Sequence, residues 1–218
     1  MKTKNLILAL SILFLSSCVV KSLHPFYTQN TISFDKNFIG EWIDTKKGKW
    51  EIVSFAKEIL KDSSIDKFSK EDLKLYKEYK SGYSIKRTRH GKEVLYLANP
   101  FKINNQTFLD FLPLGQDNGI DGLLQDHLIY AHSLVKYDVL KNGEISIKWF
   151  DEDKIEELFK NKKIKIKHEV TGLVSKKYLL TAKSKELQNF IKKYMTSKDS
   201  EKWKTSTKFT LTKVDAKP

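Results

Sequence analysis

Apolar and polar residues alternate along much of the chain between residues 38 and 150, and turn-forming residues interrupt the alternation repeatedly. A period of two places every second side chain on one face, so these runs predict half-buried β-strands. Asn142-Gly143 marks the clearest hairpin, because Asn-Gly is the strongest two-residue turn signal. The predicted strands cover residues 38–43, 50–55, 83–89, 93–98, 101–103, 107–112, 133–140 and 144–150.

Helical spacing of apolar residues occurs mainly in the second half of the chain. Residues 184–195 carry apolar side chains at i, i+3, i+4, i+7 and i+8, which predicts an amphipathic helix, and residues 151–161 predict a shorter one. Residues 58–80 fit either a helix that begins at a Ser69–Asp72 capping box or the approach to a strand. Two further strands are predicted at 162–169 and 207–214.

Many hairpins with only two or three helices indicate a mainly β protein of the α+β class. The consecutive hairpins predict an antiparallel sheet that curls into a barrel or a half-barrel. We expect residues 34–218 to form a single β-rich globular domain, because the chain beyond residue 17 has a normal length for one hydrophobic core.

The first 17 residues have the layout of a secretory signal peptide. Lys2 and Lys4 form a positive start, and an apolar run follows from Leu6 to Leu15, broken only by Ser11. The run is roughly ten residues long, about half of the ~20 that a membrane-spanning helix needs. We therefore expect residues 1–17 to be removed.

The end of this segment, Leu15-Ser16-Ser17-Cys18, resembles the lipobox of bacterial lipoproteins. The resemblance implies cleavage between Ser17 and Cys18 and attachment of lipid to the Cys18 thiol. Cys18 is the only cysteine of the chain, so no intramolecular disulfide can form. Two or more acyl chains anchor a protein stably. The membrane is therefore an expected partner, reached through the lipid.

The resemblance also implies that the protein is located in the cell envelope. Val19 follows the cysteine, whereas an Asp there retains some lipoproteins in the inner membrane; its absence favours the outer membrane, facing the periplasm. Residues 18–33 form the expected lipidated N-terminal segment. They are too apolar for a flexible tether, so we expect them to pack along the domain and keep it close to the bilayer.

A second resemblance concerns the start of the domain. Phe34-Asp35 followed by Gly40-Glu41-Trp42 resembles the entry to the first strand of lipocalins, although the spacing to the glycine is one residue short. The resemblance implies a barrel in which the glycine allows a bend and Trp42 plugs the closed end. Lipocalins place an arginine over that tryptophan late in the chain, where this sequence has only Lys208 and Lys213.

The chain is strongly basic, with 40 Lys+Arg against 27 Asp+Glu and a net charge of +13. Loss of Lys2 and Lys4 with the signal peptide lowers this charge to +11. Only Arg87 and Arg89 are arginines, although nucleic-acid recognition favours the arginine fork. With a secreted location, this excludes nucleic acid as a partner and leaves an anionic membrane surface.

A candidate for contact with anionic lipid head groups lies in the predicted strand 162–169. There Lys163, Lys165 and Lys167 alternate with Ile164 and Ile166, which predicts a cationic face above two buried isoleucines. We call these three lysines the cationic face. The alternative is that they form an ordinary solvated surface.

No catalytic or metal-binding constellation stands out. Asp126-His127 and His132 form the one tight group of potential ligands, but a spacing of five residues is poor for a metal, and hydrogen bonding at a strand entry is the better interpretation. Asp110, Asp117, Asp121 and Asp126 are interpreted as solvated loop carboxylates. We therefore expect no enzyme activity, no metal and no cofactor.

Three hypotheses about function remain. The first is a non-enzymatic envelope lipoprotein that binds a small apolar ligand or an anionic envelope component. The second is an accessory lipoprotein in assembly or stress that acts by protein contact, and the third is an enzyme. A cavity lined by aromatic residues would favour the first, a flat exposed apolar patch the second, and a cleft with two facing carboxylates the third.

Overall fold

Hairpins dominate the computed structural model, which describes residues 19–61, 64–115, 129–172 and 176–214. The prediction of a mainly β protein is confirmed. The strands are β1 (Lys21–Ser22), β2 (Gly40–Asp44), β3 (Lys49–Ser54), β4 (Tyr83–Arg89), β5 (Lys92–Ile103), β6 (Gln106–Gly115), β7 (His132–Val139), β8 (Ile145–Trp149), β9 (His168–Thr171), β10 (Lys177–Leu180) and β11 (Lys208–Lys213). The α-helices are α1 (Phe55–Ile59), α2 (Lys70–Tyr79), α3 (Glu152–Lys160) and α4 (Ser184–Thr196), and short 3-10 helices cover Gln29–Thr31, Lys36–Phe38 and Ile65–Lys67.

Eight of the strands close into an antiparallel barrel. Strands β2 to β8 pair in sequence, and β11 inserts between β8 and β2 and so completes the ring. Strands β1, β10 and β9 extend the sheet outside this ring, where β1 pairs with the start of β7 and runs parallel to β10. The choice between a barrel and a half-barrel is therefore settled in favour of the closed barrel.

Turn chemistry explains where the hairpins reverse. Gly143 has φ +83° in the turn between β7 and β8, a conformation that glycine adopts without a steric cost. His90 and Gly91 both have positive φ between β4 and β5, as a type I′ turn requires.

The predicted strands 93–98 and 101–103 prove to be one strand, β5, which runs through Pro100. The prediction of two separate strands was wrong. Pairing with β4 ends at Ala98, so Pro100 lies at a position where its nitrogen, which carries no hydrogen, is not needed as a donor within the sheet, and the strand continues through it.

The structure confirms the helix that was one alternative for residues 58–80 but not the strand predicted at 162–169. The helical alternative for residues 58–80 is confirmed by α2, in which Ser69 and Asp72 form the capping box. The predicted strand 162–169 is wrong over most of its length, because only residues from His168 onward pair with a neighbour, β10. Residues 163–167 carry no strand or helix, and their alternation reflects burial on one side rather than membership of the sheet.

The barrel interior is filled by its own side chains. Phe111 contacts Trp149 at 5.2 Å between ring centroids, and Trp149 contacts Phe209 at 5.8 Å. Small eight-stranded barrels are commonly filled in this way. The buried residues of this inner core are Phe38, Trp42, Trp50, Ile52, Tyr83, Ile85, Ala98, Leu109, Phe111, Val135, Tyr137, Ile145, Ile147, Trp149 and Leu211.

One end of the barrel is held by a buried ion pair. The Asp44 carboxylate accepts hydrogen bonds from the Gly48 amide at 2.8 Å, the Trp50 indole at 2.9 Å and the Arg87 guanidinium at 2.7 Å. Burial alone would raise the pKa of Asp44, but these donors hold it below its usual value. Arg87 also lies over the ring of Phe209 at 5.0 Å, which ties the hairpin between β2 and β3 to β11.

A second core lies on the outside of the barrel wall. Strands β5, β6 and β7 present apolar residues outward, and the N-terminal segment, α3, α4 and β10 cover them. Its buried residues are Val20, Phe26, Tyr27, Phe101, Ile103, Phe108, Leu134, Phe150, Ile155, Leu158, Tyr178, Leu180, Ala182, Leu187, Phe190, Ile191 and Tyr194.

Trp42 lies in the barrel interior and is only 2% exposed; in the sheet its partners are Trp50 on β3 and Lys213 on β11. Its indole N–H donates to the Phe38 carbonyl at 3.0 Å, and the Lys213 ammonium lies 5.3 Å from the ring centroid. Gly40 has φ +137°, and a Cβ there would meet the Lys213 side chain at 3.2 Å, so glycine suits the bend into β2.

This environment predicts the cost of removing the indole. Trp42→Ala should lower the free energy of unfolding by about 3–5 kcal/mol, as expected for a large buried side chain. Urea denaturation measures the loss. Phe34→Ala is the control, because Phe34 is 37% exposed and should cost less than half as much. A Trp42 variant that melted within a degree or two of the wild type would show that the buried indole contributes little to stability.

Candidate functional site

A cleft of about 770 Å³ lies outside the barrel, between the end of α3, residues 162–166 and one side of α4. We call it the α3–α4 cleft. Its apolar floor consists of Leu158, Ile164, Ile166 and Phe190. Leu158 and Phe190 belong to the outer core, and Ile164 and Ile166 pack against it half-buried. The volume falls within the range of about 300–1,000 Å³ typical of ligand sites.

One wall of the cleft is built by the way in which α3 ends. Lys162 has φ +53°, its amide donates to the Phe159 carbonyl at 3.0 Å, and the Lys163 amide donates to the Leu158 carbonyl at 2.9 Å. This pair of bonds is the Schellman motif that terminates helices. The motif reverses the chain direction, so the residues after Lys162 run back in an extended form and face α4.

The other wall is the amphipathic helix α4, which confirms the helix predicted at 184–195. Leu187, Ile191 and Tyr194 are buried against the outer core. Asn189 and Lys193 are exposed and line the cleft. The helix thus presents apolar side chains to the core and polar side chains to the rim of the cleft.

The rim is strongly cationic. Lysines border the cleft from both walls, opposed by the carboxylates of Glu186 and Asp199. Glu186 accepts a hydrogen bond from the backbone of Lys183 at 3.0 Å, and Asp199 pairs with Lys154 at 2.6 Å, a bond that lowers the pKa of Asp199. Both carboxylates are therefore already engaged. The lysines of the rim are Lys162, Lys163, Lys165, Lys193 and Lys198.

Most of these ammonium groups form no ion pair with a carboxylate in the described part of the chain. Lys163 lies 3.8 Å from Glu157, which is a long ion pair. Within residues 19–61, 64–115, 129–172 and 176–214, no carboxylate forms an ion pair with Lys162, Lys165, Lys193 or Lys198. The cleft is therefore apolar at its floor and positive at its rim.

The predicted cationic face lies at this site. Lys163, Lys165 and Lys167 are exposed, as predicted, but Ile164 and Ile166 are only half-buried and the segment is not a strand. Lys163 and Lys165 line the cleft. Sequence spacing could not show that Lys193 and Lys198 lie across from them, because that juxtaposition depends on how α4 packs.

The N-terminal segment is docked on the domain, as its apolar composition predicted. Val20 and Phe26 are fully buried, and β1 pairs with both β7 and β10. Val19 forms a bridge with Asp151, the N-cap residue of α3. Cys18 and Ser17 themselves, like the whole segment 1–18, lie outside the described residues.

A buried acid–base pair holds this segment in place. The Asp110 carboxylate accepts a hydrogen bond from the Phe26 amide at 2.9 Å and lies 2.6 Å from the Nδ1 atom of His132. Asp110 is fully buried, so its interpretation as a solvated loop carboxylate is wrong; it lies on the outward face of β6, beneath the N-terminal segment. His132 is the first residue of β7 and makes a hydrogen bond there, as predicted.

A second buried hydrogen bond involves the same segment, because the Tyr27 hydroxyl accepts a hydrogen bond from Asn99 at 2.5 Å.

The other members of the predicted polar groups lie outside the described residues; they are Asp117, Asp121, Asp126 and His127. Among the residues that the structure does describe, no cluster of three or more His, Cys, Asp or Glu could hold a metal ion.

Comparison with protein-family models, with curated proteins and with solved structures finds no match for this chain. None of the α-helices in the described part is long and apolar enough to cross a membrane.

The Asp110–His132 pair predicts a dependence of stability on pH. Burial alone would lower the pKa of His132, but the hydrogen bond to Asp110 raises it, and burial raises the pKa of Asp110. Both groups thus hold protons more tightly in the folded state. The stabilisation from His132 is complete below its unfolded pKa of about 6.5 and is lost as pH rises through the raised value.

His132→Phe should therefore cost about 3–5 kcal/mol, because it leaves the Asp110 carboxylate buried without its charged partner. Urea denaturation between pH 5.5 and 8.5 provides the measurement. The double variant Asp110→Asn/His132→Phe keeps an acceptor for the Phe26 amide and should lose the pH dependence between these values. If the free energy of unfolding of the double variant still changed with pH as it does in the wild type, groups other than this pair would cause the pH dependence.

Proposed function

We propose that this protein is a non-enzymatic lipoprotein of the cell envelope that holds a filled β-barrel against a membrane and binds an anionic envelope component. The lipobox resemblance supplies the anchor at Cys18. The observation that carries the proposal is the docking of the residues directly after Cys18, because it fixes the position of the domain relative to the anchor.

The lysines of the cationic face lie on the same helix-and-turn unit that Val19, the residue after the proposed anchor, contacts. Val19 bridges to Asp151 at the start of α3, and the lysines follow the end of the same helix. A nine-residue helix is roughly 14 Å long, so Val19 and the start of the lysine segment are separated by about that length along α3. A lipid at Cys18 would hold this side of the domain near the bilayer, where each lysine contributes about 1 kcal/mol against anionic lipid.

A ligand inside the barrel has less support than a ligand outside it. Aromatic side chains occupy the interior, whereas the cleft between α3 and α4 has both an apolar floor and a positive rim. We therefore assign the binding role to the outer surface of the domain and treat the barrel as its scaffold.

We also infer that the barrel is lipocalin-like. Phe34-Asp35, Gly40 and the buried Trp42 follow the order of the entry to the first strand in this family, with the spacing to the glycine one residue short. Lys213 lies over the Trp42 ring on the last strand, so a lysine takes the place of the arginine of the family. The barrel pairing of β11 with β2 brings these two residues opposite each other.

The anchor gives the first test of this function. Cys18→Ala should release the protein in soluble form or leave it as unprocessed precursor, because no thiol remains to receive the lipid. Cell fractionation and intact-mass analysis measure the outcome. An unmodified Cys18 in the mature wild-type protein would contradict the proposed anchoring.

The cationic face gives the second test. The chain from Val19 onward should bind anionic vesicles, and this binding should weaken steeply towards 0.15 M salt, where screening shortens to ~8 Å. Changing Lys163, Lys165 and Lys167 to Gln should remove up to about 3 kcal/mol, on the order of a hundredfold in affinity. Vesicle co-sedimentation measures both effects.

The matched control changes three exposed lysines of α2, which are Lys70, Lys74 and Lys77, to Gln. It removes the same net charge from a different element and should retain most of the binding. Equal binding by the wild type and the cationic-face variant would show that these lysines are only a solvated surface.

A further inference from the structure

We propose that the α3–α4 cleft binds a single-chain anionic amphiphile, with the acyl chain on its apolar floor and the acidic head group among its lysines. This proposal deepens the proposed function and rests on it for the source of the ligand, which is the adjacent membrane. The ligand class follows from three properties of the cleft, which are its floor, its rim and its size.

The floor requires an apolar occupant. Ile164 and Ile166 are only half-buried and turn towards the cleft beside Leu158 and Phe190. Apolar surface gains about 25 cal/mol for each Å² removed from water, so an alkyl chain along this floor is favoured. A free inorganic anion would leave this apolar floor exposed to water.

The rim requires an anionic head group. Lys162 and Lys165 lie on one wall and Lys193 and Lys198 on the other, without carboxylate partners among the described residues. A carboxylate or phosphate between the walls would pair with ammonium groups from both sides. A neutral amphiphile would gain the contact with the floor but would leave these charges without partners.

The size limits the occupant to one chain. A volume of about 770 Å³ suits a molecule of drug size, which matches one acyl chain with its head group better than a lipid with two chains. The cleft is open on one side to solvent, since Asn189 and Lys193 are exposed, so a ligand can enter without movement of the barrel.

The test uses the full lipid-anchored chain in nanodiscs of zwitterionic lipid. A long-chain fatty acid that carries a photoactivatable diazirine is added, and mass spectrometry maps the labelled peptides. We expect labelling to concentrate in residues 158–166 and 186–199 and to be displaced by the unlabelled fatty acid. Labelling spread evenly over the surface of the domain would overturn the proposal.

Two variants test the floor and the rim separately. Asn189→Trp places a large ring in the cleft from an exposed helix position and should reduce labelling at least about tenfold. Its control, Thr196→Trp, adds the same ring at an exposed position of α4 that does not line the cleft, and should label like the wild type. Lys193→Gln should weaken labelling about fivefold, while Lys74→Gln on α2 should not. Wild-type labelling in Asn189→Trp would overturn the assignment of the site.

The chemistry of the probe decides between ligand classes. The methyl ester of the same fatty acid should label the cleft several-fold less, and equal labelling would overturn the role of the lysine rim. Full displacement by an acidic peptide without an acyl chain would identify a peptide site and overturn the proposal. If Asn189→Trp fails to fold, Lys193→Glu replaces it, because charge reversal at this exposed residue should also reduce labelling at least about tenfold.

Co-purification with the nanodisc is scored in the same samples. It reports the lipid anchor independently of the labelling. Protein that is free of the nanodisc but still labelled in the cleft would contradict the proposed anchoring and leave the ligand site intact, whereas attached protein without labelling in the cleft would contradict only the ligand site.

Discussion

The buried carboxylate of Asp110 is the interaction on which the outer half of this structure depends. It accepts a hydrogen bond from the Phe26 amide and pairs with His132, and so joins β6, β7 and the N-terminal segment at one point. A charge that is fully buried must be paired, and its partners become fixed in turn. This contact converts the segment after Cys18 from a tether into a part of the domain.

The filled barrel imposes the second constraint. Aromatic side chains, among them Trp42, Trp50 and Phe111, occupy the barrel interior. The proposed ligand site therefore lies on the outer surface. The outer core makes such a site possible, since α3 and α4 cover the barrel wall and leave a cleft where α3 ends. The Schellman turn at Lys162 then brings the lysines of the following segment opposite α4.

Sequence patterns predicted the local structure better than the long-range contacts. The alternation of strands β4 to β8, the Asn142-Gly143 turn and the stripe of α4 are set by near neighbours, so they could be predicted. The burial of Asp110 depends on His132, 22 residues away, and no local pattern indicates it. The cationic face was predicted, but the opposing Lys193 was not, because its position depends on the packing of a helix.

The segment after α3 also shows why alternation alone does not define a strand. Residues 163–167 half-bury every second side chain, but no neighbouring strand pairs with them, and Lys163 and Lys165 border the cleft. Burial on one side requires only a surface to pack on, here the outer core. A lipid anchor would place such a site at a high effective concentration of membrane lipid, as in any tethered interaction. A shallow, open cleft would then suffice where a free soluble carrier would need an enclosed cavity.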